Sequence, residues 1–358
     1  MTSRKQFKAQ VRARMAKTGE RYTTAFAHLS GASPDGGWVL RGGTDPDAAG
    51  LNAMLAARGI SGLDEALVFG IGGGIGAGYI LWEFKQHNSR HVTIGFTNTW
   101  QYVTRRSEKV LARLGIAHEW HRSAPKAARA WLTARLDAGD AVMVWPDRYQ
   151  IGYWDLPEEL DGHGGHPVVV YRAAGNQVYL DDRNQVPLTV AREDLDRAVA
   201  RVGTWKNQAL VITDSDRAPD VEAAVREGLR DVVEHLSAKS DSFSLPAWRK
   251  WSRMMTDTKA AKAWPKVFAD GQGLDHALQS VREGVDGRYG VTGGNLRPLF
   301  ADFLEQAGHS GLAPRWREIG AMWNALGEMT EFPAMGAQLA ELHAAETDAI
   351  ARLKAVVD

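Results

Sequence analysis

The chain has no cysteine in its 358 residues. Thiolate nucleophiles, disulfide staples and thiolate metal ligands are all excluded, so no thiolate chemistry runs on its own side chains. Net charge is also lacking. The 43 basic residues balance the 43 acidic ones, and no field spread over the whole surface draws in nucleic acid or membrane. No apolar run approaches the roughly 18 to 20 residues needed to span a bilayer. The opening MTSRKQFKAQVRARMAKTG lacks the apolar centre of a secretory signal, and a cytoplasmic location is expected, in agreement with the missing cysteine. Internal repeats and low-complexity tracts are absent as well.

What is there is ordinary globular composition, 44% hydrophobic and 24% charged, in a chain long enough for two domains. Tryptophan is in surplus at 13 residues. Trp100, Trp120, Trp145 and Trp154 fall in the first two-thirds, and Trp248, Trp251, Trp264, Trp316 and Trp323 in the last third. Such rings most often build cores and domain interfaces. Trp145 and Trp154 flank the loop WPDRYQIGYW, where stacking on a sugar or a flat acyl group is the alternative to packing.

Three regions are expected. Residues 1–30 read as a basic helical segment carrying Arg4, Lys5, Lys8, Arg12, Arg14, Lys17 and Arg21. No base-reading motif follows, which favours a solvated amphipathic lead-in over a nucleic-acid contact. Residues 31–215 alternate short apolar runs, WVLRGG, ALVFG, HVTIGF, AHEWH, AVMVWP, HPVVVYR, QVYLDD and ALVIT, with helices from Asp47 to Arg58, near Tyr102 to Leu114 and over Pro125 to Asp137. Early strands are separated by helices and later ones by tight turns such as Ala174-Gly175-Asn176, the mark of an α+β domain with a partly antiparallel sheet. After the polar linker TDSDRAPD, residues 216–358 read as an all-α domain, including a helix over Lys259 to Phe268.

Candidate chemistry sits in three places. FGIGGGIGAGY, Phe69 to Tyr79, meets the loose dinucleotide fingerprint but lacks an acidic residue after the next strand. Its glycines Gly72, Gly73 and Gly74 read better as bare backbone passing close to another segment, or facing a ligand oxygen, with Tyr79 beside them. In RGGTDPDAAGLNAMLAARG, Asp45 can cap a helix, Pro46 fits its first turn and Asp47 suits its dipole; Thr44, Asp45 and Asp47 would then frame an anionic nucleophile or ligand. His163 and His166 lie in DGHGGHPVVVYR, ahead of a strand whose partner ends in Asp181-Asp182. A histidine with a carboxylate one hairpin away is the layout of an oriented general base. A metal gathered by Asp161, His163 and His166 with Asp45 or Asp47 is the weaker alternative, and no cofactor is expected.

Together LNAMLAARG, EALVFGIGGGIGAGY, HPVVVYR with VYLDD, and PLTVAREDLDRAV resemble the N-terminal domain of butirosin biosynthesis protein H over roughly Gly36 to Thr213. GRYGVTGGNLRPLFADFLEQAG and WREIGAMWNAL resemble the helical domain of unknown function that often follows it. The resemblance implies a papain-like (cysteine-peptidase-like) domain that moves an acyl group from a carrier protein to an amine, by a His-Cys pair opening the early helix and a downstream His and Asp. His166 corresponds to that His and Asp181 or Asp182 to the acid, while Asp45-Pro46 falls on the His-Cys pair.

Three readings follow. Acyl or amide chemistry proceeds without a thiol, with His166 activating the acceptor, Asp45 orienting and backbone N–H groups holding the oxyanion. Alternatively, a catalytically silent relative binds a carrier-bound acyl group, peptide or metabolite for a partner enzyme. In the third, carboxylates and histidines hold a metal for hydrolysis. A small-molecule or peptide substrate and an acyl carrier protein are the partners this implies, and the helical domain can supply a lid or a homodimer face.

Overall fold

A computed structural model describes residues 37–357 apart from 85–88, 100–101, 103, 155, 157, 159–160, 163, 214–217 and 288–292. The basic segment 1–30, His163 and Trp100 lie outside the described residues. The chain packs as two compact units, each gathered from separate stretches: one from the described part of 1–42 with 53–59 and 118–212, the other from 43–52, 60–117 and 213–358.

The first unit is built on a six-stranded sheet of order β3-β8-β4-β5-β6-β7. Its strands are β3 (His118–His121), β4 (Val142–Val144), β5 (Val168–Ala174), β6 (Gln177–Asp181), β7 (Leu188–Ala191) and β8 (Ala209–Ile212). All their pairings are antiparallel. VMV, ALVI and the VVV that opens β5 are continuous β-branched or aliphatic runs, and these three neighbours are buried on both faces, as such runs require. The edge strand β3, HEWH, is polar and only half-buried, which suits an edge. Leu132 from a helix at Pro125–Asp137 and Leu195 and Ala198 from one at Arg192–Arg201 close the core with Val142, Val144, Val168, Val170, Val178 and Leu180.

β5 and β6 form a hairpin in which Ala174 faces Gln177 across Gly175-Asn176, and Gly175 takes the left-handed φ of +60° that a two-residue turn needs. This hairpin brings the start of β5, where His166 lies, level with the end of β6 at Asp181.

The second unit combines an antiparallel hairpin, β1 (Ile75–Phe84) with β2 (Ser89–Thr97), with helices at Glu65–Ile71, Arg105–Arg113, Val221–Ser237, Pro246–Thr256, Trp264–Val267, Leu274–Val285, Arg297–Gln306, Ala313–Gly327 and Phe332–Val357. Its centre is tryptophan-rich: Trp248, Trp251, Trp264 and Trp323 are fully buried. An ion pair sits among them. Arg297 Nε and Nη2 donate to Glu346 Oε1 and Oε2 at 2.8 and 2.9 Å, and the indoles of Trp248 and Trp323 donate to the same carboxylate at 3.1 and 2.7 Å. Arg297 also donates to the Gly76 carbonyl of β1 at 2.9 Å, tying the long final helix to the hairpin. With both charges fully paired, the burial cost is offset.

The α+β class with antiparallel pairing and a helical C-terminal region is what the chain adopts. Three local expectations are corrected. ALVFG is not a strand but most of the helix Glu65–Ile71, because Asp64 caps it by accepting from Leu67 N at 3.0 Å and Gly70 lets Phe303 pack against it. Gly72 ends this helix, and the strand begins only at Ile75. WVLRGG carries no strand, and of the helix expected at Lys259 to Phe268 only Trp264–Val267 forms.

Candidate functional site

His166 stands at the foot of β5, held by its backbone. Its N–H donates to the Pro146 carbonyl at 3.0 Å, and neighbouring Gly165 bridges to Asp147. A Cβ on Gly165 would lie 1.8 Å from the Trp205 ring, so only glycine lets the chain run this close. Asp147, fully buried, accepts from Gln150 N and Gly162 N at 3.0 and 2.9 Å and fixes the loop before the histidine.

The ring of His166 is 3% exposed, and its Nε2 lies 2.6 Å from Asp182 Oδ1. Trp154 meets it edge-on at 5.3 Å between centroids. Asp182 is oriented in turn: the Tyr153 hydroxyl donates to Oδ2 at 2.8 Å, and Arg183 Nη2 and Nε approach Oδ1 at 3.2 and 3.3 Å. Arg183 adopts a left-handed φ of +61°, rare for an arginine, and this turns its guanidinium back over the carboxylate. Asp181 points elsewhere, accepting from Trp38 Nε1 at 2.9 Å and from Arg183 N at 3.2 Å. Of the two acids at the strand end, Asp182 is the partner of His166.

Burial pushes the Asp182 carboxyl up, but the hydrogen bond and charge of His166, with Arg183 and Tyr153, outweigh it and hold the group below the usual carboxylate range. Burial lowers His166, and Asp182 offsets this only in part. Burial and the Asp182 charge raise the Tyr153 phenol well above its ordinary value, so it stays a donor. At neutral pH the imidazole is therefore uncharged. Its proton sits on Nε2 facing the carboxylate, and Nδ1 carries the lone pair. Among the described residues no side chain or backbone group hydrogen-bonds Nδ1.

The second unit holds the other group. Asp45 caps the helix Pro46–Ala57, accepting from Ala48 N at 2.9 Å, and its carboxylate forms a buried ion pair with Arg106 Nη1. Glu65 accepts from the N–H groups of Thr44 and Asp45 at 2.7 and 2.5 Å. Asp47 Oδ1 is out of reach of solvent and has no hydrogen-bond partner among the described residues. Burial, with the neighbouring Asp45 charge and against the pull of Arg106, raises the Asp47 carboxyl to about 7.

The glycine run packs rather than cradles. A Cβ on Gly72 would lie 2.4 Å from Arg106 Cγ, one on Gly73 2.8 Å from Asp231 Oδ2, and one on Gly74 3.0 Å from Val232. Tyr79 accepts from Trp264 Nε1 at 2.7 Å and stacks on Trp251. Trp145 is 2% exposed and stacks on Trp120. Asp161 is engaged by Arg201 Nε at 2.9 Å and by Gln150. Tyr153, Arg183 and Arg106 went unread in the sequence. Arg183 directly follows the two acids, which is a local signal, whereas Arg106 lies some sixty positions from Asp45 and carries none.

Residues 46–183 match the family model of butirosin biosynthesis protein H, N-terminal. The segment is similar to that family, and the match ends at the Asp181-Asp182-Arg183 turn. No curated protein matches the chain. A C39-like peptidase from Bacillus anthracis is a structural neighbour at 13% identity and a TM-score of 0.31, covering 49% of this chain and 90% of that one.

Proposed function

We propose that the protein performs acyl transfer or amide chemistry in a biosynthetic pathway by direct attack, with His166 as general base and Asp182 as its orienter. One observation carries the reading. A buried, neutral imidazole is held by a 2.6 Å hydrogen bond from Nε2 to a doubly supported carboxylate, while its Nδ1 has no partner among the described residues. Such a nitrogen accepts a proton from an incoming amine or water, and Asp182 stabilises the imidazolium that forms. The resemblance to butirosin biosynthesis protein H, whose family model matches residues 46–183, implies an acyl donor presented by a carrier protein, and a thioester is the form taken here. With no cysteine there is no acyl-thioenzyme, so the acceptor takes the acyl group directly and positioning supplies much of the acceleration.

The test is turnover of N-acetylcysteamine thioesters with amine acceptors by the full chain. His166→Ala is expected to lower kcat about 10²–10⁴-fold while thioester binding, read by calorimetry, persists. Unchanged turnover with binding intact would remove His166 from catalysis. A second reading, a silent relative that binds the acyl group for a partner enzyme, draws on the same unpartnered Nδ1, which can accept a ligand N–H. It predicts binding lost in His166→Ala and no turnover in either protein.

A further inference from the structure

A cavity of about 260 Å³ opens in the first unit against the Pro125–Asp137 helix and strands β4 and β8, its apolar wall formed by Trp131, Leu132, Val144 and Val199, with polar groups that include His121, Asn207 and the Arg129–Asp196 ion pair. A pocket of about 150 Å³ holds benzene, so this one has room for an aryl or branched aliphatic acyl group. Its size alone carries nothing, but the groups beside it are built with care. His121 lies flat on Trp131, ring centroids 4.4 Å apart and planes within 8°, and its Nε2 is 2.8 Å from Ser123 Oγ.

Ser123 is pinned through its backbone on both sides. Its N–H donates to the Lys206 carbonyl at 2.9 Å, and its own carbonyl accepts from Asn207 Nδ2 at 2.9 Å. Lys206 and Asn207 make these contacts from two successive left-handed conformations, φ +53° and +52°, without a glycine. Strain of that kind persists only where surrounding structure enforces it, and it collects at functional positions. The helix that follows Ser123 starts at Pro125 with no side-chain cap. Its first N–H groups are then donors without a capping acceptor.

We infer that Ser123 is an acyl-accepting nucleophile with His121 as its base, and that the cavity takes the acyl portion of a small ester or thioester. This site shares no residue with the His166 pair and does not rest on the reading given to it. In the step, Ser123 Oγ attacks the carbonyl carbon as its proton passes to His121 Nε2. The bond from carbonyl carbon to alkoxy oxygen or sulfur then breaks, and the departing group takes that proton. Water, giving its proton to His121, hydrolyses the seryl ester; the carboxylic acid leaves and Ser123 Oγ recovers its proton. The net change is ester plus water to acid plus alcohol or thiol. Among the described residues no carboxylate hydrogen-bonds His121, so its imidazolium is less supported than that of His166 and turnover is slow.

The experiment treats the full chain with a fluorophosphonate probe, maps the modified peptide by mass spectrometry, and follows p-nitrophenyl ester hydrolysis in parallel. The expected result is modification at Ser123, abolished in Ser123→Ala, slowed at least tenfold in His121→Gln and unaffected in His166→Ala. Val199→Phe, which fills the cavity, is expected to slow p-nitrophenyl isobutyrate more than p-nitrophenyl acetate. The backbone bonds of Ser123 survive removal of its hydroxyl, so Ser123→Ala should fold normally by circular dichroism. No modification of Ser123 in the folded wild-type protein, or ester hydrolysis unchanged in Ser123→Ala, overturns the assignment. Loss of thioester transfer in His166→Ala with Ser123 still modified leaves both sites standing.

Discussion

Arg106 and Asp45 form an ion pair at the start of the Pro46–Ala57 helix, each 2–3% exposed. The resemblance sets Asp45-Pro46 on the family's His-Cys pair, and here the Asp45 carboxylate is spent on a helix cap and on this guanidinium. The arginine is threaded past Gly72 and over the Phe69 ring, 4.8 Å from its centroid. Space, charge and capping at this point are a single arrangement.

Removing one partner of such a pair leaves a buried charge uncompensated. Arg106→Leu is expected to cost about 3–5 kcal/mol, read as a drop in urea midpoint. Gly72→Ala reaches the same pair sterically: its backbone φ of −71° suits alanine, so the cost comes from displacing the Arg106 side chain, about 1–3 kcal/mol. A Gly72→Ala protein as stable as wild type would mean that Arg106 relaxes freely, contrary to its burial.

Asp47 makes stability fall with rising pH. Its carboxyl titrates near the ordinary aspartate value of 3.8 when unfolded and is raised to about 7 when folded. Between those values the unfolded chain has released a proton that the folded chain keeps, so the contribution of Asp47, fully present below about 4, is lost as pH climbs through 7. Asp47→Asn removes the ionisation. It is expected to match wild type near pH 4 and to exceed it at pH 8 by up to about 4 kcal/mol, since each pKa unit is worth about 1.4 kcal/mol. Melting temperatures of the two proteins at both pH values decide it; an equal gap at each would show that Asp47 does not titrate in this range.

Local rules carried far along this chain. Pro125 to Asp137 reads as a helix and is one to the residue, the Gly175-Asn176 turn forms as its residues dictate, and His166 does meet an acid one hairpin away. What the sequence hid is non-local. Nothing near Asp181 and Asp182 says which faces the histidine; Trp38 claims the first and Tyr153 with Arg183 holds the second. The apolar run ALVFG fits strand and helix alike, and only the Asp64 cap and the close passage of Phe303 and of Gly228 past Gly70 decide for helix. The glycines after it looked ready to face a ligand because a sequence records the absence of side chains and not what fills their place.

The Asp182 carboxylate opposes burial in fixing the pH at which the His166 imidazole loses its proton, and in the proposed reaction the sign of that influence tests their pairing. Burial depresses the imidazole and the Asp182 charge and hydrogen bond raise it, with burial the larger. Asp182→Asn removes the charge and leaves burial less opposed. The acid limb of kcat/KM, which reports the free imidazole, is therefore expected to move to lower pH in the variant even as kcat falls by about 10²–10⁴-fold, because the imidazolium formed during proton transfer has lost its counter-charge. Tyr153→Phe acts through the same carboxylate but keeps the charge, and should leave the limb closer to wild type. The measurement is a pH–rate profile of thioester transfer for the three proteins. A limb that stays in place in Asp182→Asn while the rate drops would reduce Asp182 to a purely structural support, and one that moves upward would break the pairing altogether.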